Sequence, residues 1–403
     1  MVPPPSVKKA VWPILERALR TYKIQASLQT HVIEAMLYFS ERDSVITRHL
    51  AVEQARKLLR KPMPYYLHAS VVLFQSILYR IDGDLAKSEA RIRDFTWRGP
   101  KPITRRDHAL QGRLHISQIE NKIKCYDNDV PSSIYKWEAA QPLSSLDIEV
   151  TFRLQSTAAR FFQSVGDFGA AKASLEQSLC LNTTKPIRTN TRRLLVGRVA
   201  DLYCELQECA KAAEILQPEL DSVDEADRPR RTFRRLLLAS AEASIGLGRL
   251  DAAEIVLREL GSSAAPSTLD DLHDQQLHMR RLVSAARIVH MRADYAEAVV
   301  RWKHALREVE RMHTLKSGAG FTAAVIHLSL AHAQLRDGDR DGGGRHSWAA
   351  GLEILGSERC EFWIPVVPTA WLRRIALEVH ECRGWSFRMM LPGGRPDILI
   401  QSQ

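Results

Sequence analysis

Helix-spaced stretches of apolar residues alternate along this chain with short polar or Gly-bearing breaks, and one order of small, large and turn residues keeps returning. The stretch Ala158-Ala159 to Val165-Gly166-Asp167-Phe168, followed by Ala170-Ala171, has the same frame as Ala239 to Leu247-Gly248-Arg249-Leu250 with Ala252-Ala253. In both, a small residue inside a first helix precedes a large residue, a glycine, a polar residue and an apolar one. A small residue then opens a second helix. The frame also fits Val199-Ala200 to Cys209 and Ala212, and Ala285-Ala286 to Ala293-Asp294-Tyr295 and Ala298. It fits more loosely from Leu330-Ala331 to Gly338-Asp339 and from Gln75-Ser76 to Gly83-Asp84-Leu85, and a degenerate copy is expected around Asn128, with Trp137 in its second helix. The turn anchors are then Gly83, Asn128, Gly166, Gln207, Gly248, Ala293 and Gly338, separated by 45, 38, 41, 41, 45 and 45 residues.

Two antiparallel helices joined by a short turn approach closely, so Ala or Ser belongs where they cross. A residue able to take the left-handed conformation ends the first helix. Large residues of the second helix, such as Leu175, Leu216, Leu257 and Trp302, fill the gap to the next unit. No unit buries its apolar stripe alone, so the units must stack.

The order of small residue, large residue, Gly-polar-aromatic turn, Ala, large residue, Ala resembles the tetratricopeptide repeat (TPR) family. The resemblance runs roughly from Tyr65 to Leu355 and is strongest in the units turning at Gly166, Gly248 and Ala293. The period exceeds the family's 34 residues, and the usual proline after the second helix is mostly missing, as in an extended-period variant. The resemblance implies an all-α, right-handed superhelix (an α-solenoid) of tandem TPR-like helix pairs that serves as an interaction module.

Around that array, residues 1–10 are expected to be a disordered N-terminus, 11–60 an N-terminal helical cap, 61–355 the repeats, and 356–403 a C-terminal capping helix with an irregular tail. Trp363 and Trp371 are the expected packing residues of that last helix, and Pro392-Gly393-Gly394-Arg395-Pro396 excludes helix from the tail. Loops are expected at Trp97–Pro102, Asn182–Asn190, Asp221–Arg230 and Gly261–Asp270.

Lysine and arginine number 57 against 47 acids, a formal charge of +10, which favours acidic partners without defining a nucleic-acid binder. The six cysteines include no CxxC pair, so a structural zinc site is not expected, and most read as reduced core residues. Met1-Val2-Pro3-Pro4-Pro5 cannot start a signal-peptide helix, and no apolar run reaches the length of a membrane span. A cytoplasmic protein is therefore expected, with the nucleus as the alternative.

The candidate partner-binding residues are three arginine doublets near the starts of first helices: Arg192-Arg193, Arg234-Arg235 and Arg280-Arg281. Cations at a helix N-terminus oppose the macrodipole, so local stability does not explain them. Either stacking aligns them as a ladder for an acidic ligand, or they pair with Asp224, Glu225 and Asp227 or are simply solvated. The positions matching a TPR carboxylate clamp are Ser156 and Arg160, Arg198 and Asp201, and Arg235 and Ala239; the clamp's asparagines are absent. Asp337 to Gly342 opens like a calcium loop, but Trp348 stands where the closing carboxylate should be. Lys316 to Thr322 has the residues of a phosphate cradle in the wrong order, with no strand before it. His290, His304, His327 and His332 lie on neighbouring helices and are candidates to meet on one face. No catalytic motif is present, and neither a cofactor nor a metal is expected.

The expected function is thus a non-catalytic scaffold or adaptor that holds a protein or peptide partner, most suitably an acidic one, on the concave face of the superhelix. Two alternatives stay open. One is an accessory protein of a biosynthetic (secondary-metabolite) pathway with a small-molecule pocket. The other is an RNA-binding helical repeat, for which the arginines speak but regularly placed stacking aromatics are lacking.

Overall fold

The computed structural model describes residues 45–59, 64–81, 84–98, 100–124, 129–130, 132–134, 148–164, 167–184, 189–225, 231–262, 272–313, 320–338, 342–356 and 368–383, together with Arg17, Ile33, Arg228, 389–390 and 396–397. These residues hold fifteen helices: α1 (Val45–Leu58), α2 (Tyr65–Ile81), α3 (Leu85–Arg98), α4 (Arg105–Lys124), α5 (Ile148–Ser164), α6 (Phe168–Thr184), α7 (Thr189–Glu205), α8 (Cys209–Asp221), α9 (Arg231–Gly246), α10 (Leu250–Ser262), α11 (Leu272–Met291), α12 (Tyr295–His313), α13 (Gly320–Arg336), α14 (Gly343–Gly356) and α15 (Thr369–Arg383). The tail adds one short antiparallel pairing, in which Met389 faces Asp397 and Met390 faces Pro396. Trp137 and Trp363 lie outside the described residues, as do residues 1–10.

The chain divides into two compact units, residues 1–125 with 141–150, and residues 126–140 with 151–403. In the first, Ile33, Ala51, Val52, Ala55, Leu67, Val71 and Leu78 form one core cluster between α1 and α2. A second cluster joins Tyr65, Ala69, Val72 and Leu73 to Ile92, Leu110 and Leu114 of α3 and α4. Where α2, α3 and α4 cross, small polar residues replace alanine. Ser76 Oγ lies 2.8 Å from Ser88 Oγ and 3.0 Å from Ser117 Oγ, and the Asn121 amide donates to Ser88 Oγ at 2.8 Å. These hydroxyls are satisfied by one another, so their burial carries no desolvation penalty.

In the second unit, helix pairs stack in chain order: α7 with α8, α9 with α10, α11 with α12 and α13 with α14, while α6 packs on α7. Successive first helices touch, α7 against α9 and α9 against α11, and α15 packs on α13. The crossings fall where small residues stand: Ala171, Ala212, Ala253 and Ala298 are each fully buried at 0 % exposure. Leu175, Leu216, Leu257 and Trp302 fill the space to the next pair, and each such leucine contributes about 1.5–3 kcal/mol of burial. One cluster includes residues of α5 to α9, a second those of α9 to α11, and a third those of α11 to α15. Leu220 and Met291 each belong to two of them, so the core runs on from pair to pair.

Turn chemistry follows the sequence anchors. Gln207, Gly248, Ala293 and Gly338 all take positive φ, at 62°, 73°, 60° and 84°. At Gln207 the Glu208 N–H donates to the Tyr203 carbonyl and the Gln207 N–H to the Cys204 carbonyl, the paired bonds of a Schellman ending. The same two bonds recur at Gly248, to Ser244 and Ile245. The other three anchors (Gly83, Asn128, Gly166) lie outside the described residues. The polar residue after the anchor often has its own task. Asp84, Asp167 and Asp294 each accept a backbone N–H three residues on, at 3.0, 3.0 and 3.2 Å, and so cap α3, α6 and α12. Asp337 and Gly338 form the turn after α13, while Trp348 is a buried core residue of α14 rather than a stand-in for a calcium ligand. Trp371 is buried in α15, and its indole N–H donates to Ser329 Oγ of α13 at 3.0 Å.

Candidate functional site

Stacking repeats of 41 to 45 residues brings one position of a first helix against the same position of the next first helix. Several long-range polar contacts of the second unit follow that rule. Arg198 on α7 donates to Ser156 on α5, 42 residues earlier. Ser284 on α11 donates to Glu242 on α9, again 42 residues apart, and Arg287 donates to the other oxygen of Glu242 at 2.5 Å across 45 residues. Both members of the Glu242–Arg287 pair are buried, and the Arg287 guanidinium lies 5.3 Å over the Trp371 ring.

Arg280 breaks the one-repeat rule. It leaves α11, passes α9 and reaches Asp201 on α7, 79 residues away, with Nη1 3.3 Å from Oδ2 and Nη2 3.0 Å from Oδ1. Arg235 of α9 approaches the same carboxylate at 3.6 Å. Burial pushes the Asp201 carboxyl upward, but the charges of Arg280 and Arg235 more than offset it, and its pKa lies below the ordinary carboxylate range. Burial also acts on Arg235, whose pKa is lowered despite Asp201, with Arg280 and Arg160 repelling it as well. Arg235 and Arg280 thus share one carboxylate, Arg160 is near enough to repel Arg235, and Arg198 stands one turn before Asp201 on α7. Asp201 keeps 15 % of its side chain exposed, Arg280 12 % and Arg235 29 %.

The six arginines singled out in the sequence do not share one partner. Arg192 pairs with Glu219 at 2.8 Å, and Arg193 lies 4.0 Å from the same residue while donating to the Ser222 carbonyl at 3.2 Å. Arg234 is buried, and Arg281 lies beside His278 at 3.5 Å. Arg235 and Arg280 converge on Asp201, and Arg192 and Arg193 on Glu219. Because α11 begins at Leu272, Arg280 and Arg281 sit beyond its second turn rather than at its start. Among the described residues, Asp201 and Glu219 are carboxylates that meet this series. The clamp-like positions Ser156, Arg198, Asp201 and Arg235 do come together, through hydrogen bonds and ion pairs that need no asparagine.

Of the four histidines, His290 and His332 meet. Their rings stack at 4.9 Å with His290 Nε2 2.7 Å from His332 Nδ1. The Trp302 indole, a donor only, gives its N–H to His290 Nδ1 at 3.1 Å, and His332 Nε2 lies 2.8 Å from the Glu378 carboxylate, an acceptor only. The Trp302 end fixes the His290 hydrogen on Nε2, which faces His332 Nδ1. Burial, then the positive charge nearby, lowers His290 to about 3, and burial lowers His332 against the pull of Glu378. This chain links α11, α12, α13 and α15 inside the core. No group of three or more His, Cys, Asp or Glu side chains is arranged to hold a metal ion among the described residues.

No protein-family model matches the chain, and no curated protein does. Solved structures do match. A Rap protein complexed with competence and sporulation factor superposes with a TM-score of 0.55 at 12 % identity, over 78 % of this chain and 82 % of that chain. The apo form of RapI gives 0.49 at 8 % identity, over 78 % and 81 %. The first likeness is one of fold, and it agrees with the repeat geometry: the chain is an all-α, TPR-like helical-repeat protein. No helix among the described residues is long and apolar enough to cross a membrane.

Proposed function

We propose that this chain is a non-catalytic interaction scaffold. In this reading it holds an acidic peptide, or an acidic segment of a protein, on the face its first helices share, in the manner of an adaptor. The observation that carries it is the convergence of Arg235 and Arg280 on the partly exposed Asp201, with Arg160 and Arg198 close by. A buried or half-buried guanidinium fork is built to take a carboxylate by two parallel bonds. Asp201 occupies that fork, and a ligand carboxylate brings the same chemistry with it. Arg192 and Arg193 of α7, Arg234 of α9 and Arg281 of α11 lie on the same series of first helices. The fold neighbour solved with a bound factor supports a binding role for such an array.

A peptide selection tests the reading. Random decapeptides enriched on the immobilised full-length chain should gain Asp and Glu over the input pool, and the gain should shrink with Arg235→Gln and Arg280→Gln. Enrichment of basic peptides, or none, would contradict it. Preferential retention of a single-stranded RNA pool over every peptide pool would replace it with the nucleic-acid reading.

A further inference from the structure

Four charged residues occupy one position of the repeat. Arg160, Asp201, Glu242 and Arg287 each stand six residues before their turn anchor, Gly166, Gln207, Gly248 and Ala293. Between α9 and α11 that position forms a direct pair, with Arg287 donating to Glu242 at 2.5 Å. The same position on α5 and α7 carries an arginine and a carboxylate, Arg160 and Asp201, so the register gives Asp201 a partner one repeat back. Asp201 is engaged forward along the stack. Its oxygens accept from Arg280 at 3.0 and 3.3 Å, and Arg235 of the intervening helix stands 3.6 Å away, beyond hydrogen-bond reach.

The Arg280 fork holds Asp201 through both Nη groups, and a ligand carboxylate makes the same two bonds only in its place. A carboxylate arriving beside Asp201 would instead set two like charges against one fork. Arg235 is the more exposed of the two cations and the more loosely held, so it is the first to meet an incoming anion.

We propose that Asp201 is a two-position switch: an acidic ligand takes its place on Arg235 and Arg280, and the displaced carboxylate turns back to Arg160 on α5. The switch rests on the acidic-ligand reading above and adds how that site is regulated. Displacement releases the Arg280 contact that ties α7 to α11. The neighbour contacts, Arg287 to Glu242 and Arg198 to Ser156, remain. Asp201 faces a cation in both positions, so the exchange strands no buried charge. Binding thereby loosens a three-repeat coupling without melting a helix.

Four full-length chains test the switch: wild type, Asp201→Asn, Arg160→Gln and the double variant. Each is titrated against a fluorescein-labelled decaglutamate peptide by anisotropy, with circular dichroism to check that the chain is helical. Asp201→Asn removes the internal competitor and should tighten the complex about tenfold, since apparent affinity scales with the fraction of sites open to ligand. Arg160→Gln removes the seat of the displaced carboxylate and should weaken the complex about threefold. In the Asp201→Asn background, Arg160→Gln should change nothing, because Arg160 acts only through Asp201. Equal weakening by Arg160→Gln in both backgrounds would overturn the proposal and leave Arg160 as a mere attractor of anions. So would an Asp201→Asn affinity equal to or below that of the wild type. Should Asp201→Asn fail to fold, a wild-type affinity in Arg160→Gln overturns the switch by itself. Decaglutamate that binds none of the four chains would strike the acidic-ligand reading, and the exchange with it.

Discussion

Arg280 and Asp201 are hydrogen-bonded by two contacts across 79 residues, so an arginine of one repeat is anchored two repeats back along the stack. Ordinary solenoid contacts join neighbours only. This one skips a helix, and Arg235 of the skipped helix joins the same carboxylate. The pair therefore couples three repeats. Arg280→Gln and Asp201→Asn should each destabilise the chain, and a double-mutant cycle should return a coupling of about 0.5–3 kcal/mol. Asp201→Asn should cost more than Arg280→Gln, because it leaves two guanidinium groups without their shared anion. Urea unfolding of the four proteins reads both statements, and strict additivity would mean that the contact contributes nothing.

Glu242 and Arg287 are both buried, and no solvent shields one if the other is lost. Glu242→Gln should cost about 3–5 kcal/mol, the usual consequence of stranding a buried charge. Replacing both residues by apolar ones of similar size should restore much of that loss. A double variant as unstable as Glu242→Gln would show that the hydrogen bond from Ser284, not the charge pair, dominates.

The stacked histidines give the fold an acid-sensitive core. Unfolded His290 titrates near its ordinary value of about 6.5, whereas the folded residue is held at about 3. Its folded pKa is depressed, so below about pH 6.5 the unfolded chain takes up a proton that the folded chain refuses. Stability then falls by about 1.4 kcal/mol per pH unit as the pH drops toward 3. His290→Asn, whose side-chain oxygen can still accept from Trp302, should flatten the fall between pH 6.5 and 4.5. Unfolding midpoints measured at several pH values would show it, and equal slopes in both proteins would refute the assignment.

The turns carry a backbone prediction. Gln207 and Ala293 hold left-handed conformations with a Cβ present, at a cost of about 1–2 kcal/mol each. Gln207→Gly should therefore be neutral or stabilising by up to about 1 kcal/mol, although glycine also adds disorder to the unfolded chain. Gly248→Ala should destabilise by about 1 kcal/mol or more, since a side chain at positive φ is strained even in open space. Matching effects of the same sign at both sites would be incompatible with this backbone.

Much of this architecture was legible in the sequence because repetition compares the chain with itself. Gln207 and Ala293 are not glycines, yet their place in the repeat frame predicted turns, and both take the glycine conformation. Alanines 253 and 298 were legible as crossings for the same reason. The polar interior was less so. Glu242 and Arg287 lie 45 residues apart, one repeat period, and opposite charges at that offset on buried faces are a readable signal that the periodicity alone did not single out. Arg280 and Asp201 were beyond reach, because a contact that skips a repeat depends on the curvature of the stack and the length of one side chain. The arginine doublets were seen, but not where they go: Arg235 and Arg280 reach Asp201, whereas Arg192 and Arg193 both face Glu219.

The central claim is that the Asp201-centred arginines receive an acidic ligand, and an exchange experiment addresses it directly. A pool of acidic decapeptides selected on the wild-type chain is titrated by fluorescence anisotropy against wild type and the Arg235→Gln/Arg280→Gln variant at two salt concentrations. The account predicts affinity that falls with salt in the wild type and at least a tenfold weaker complex in the variant, about 1.4 kcal/mol, with circular dichroism of both chains still helical. Unchanged affinity in a folded variant would contradict the account and move the recognition surface away from Asp201.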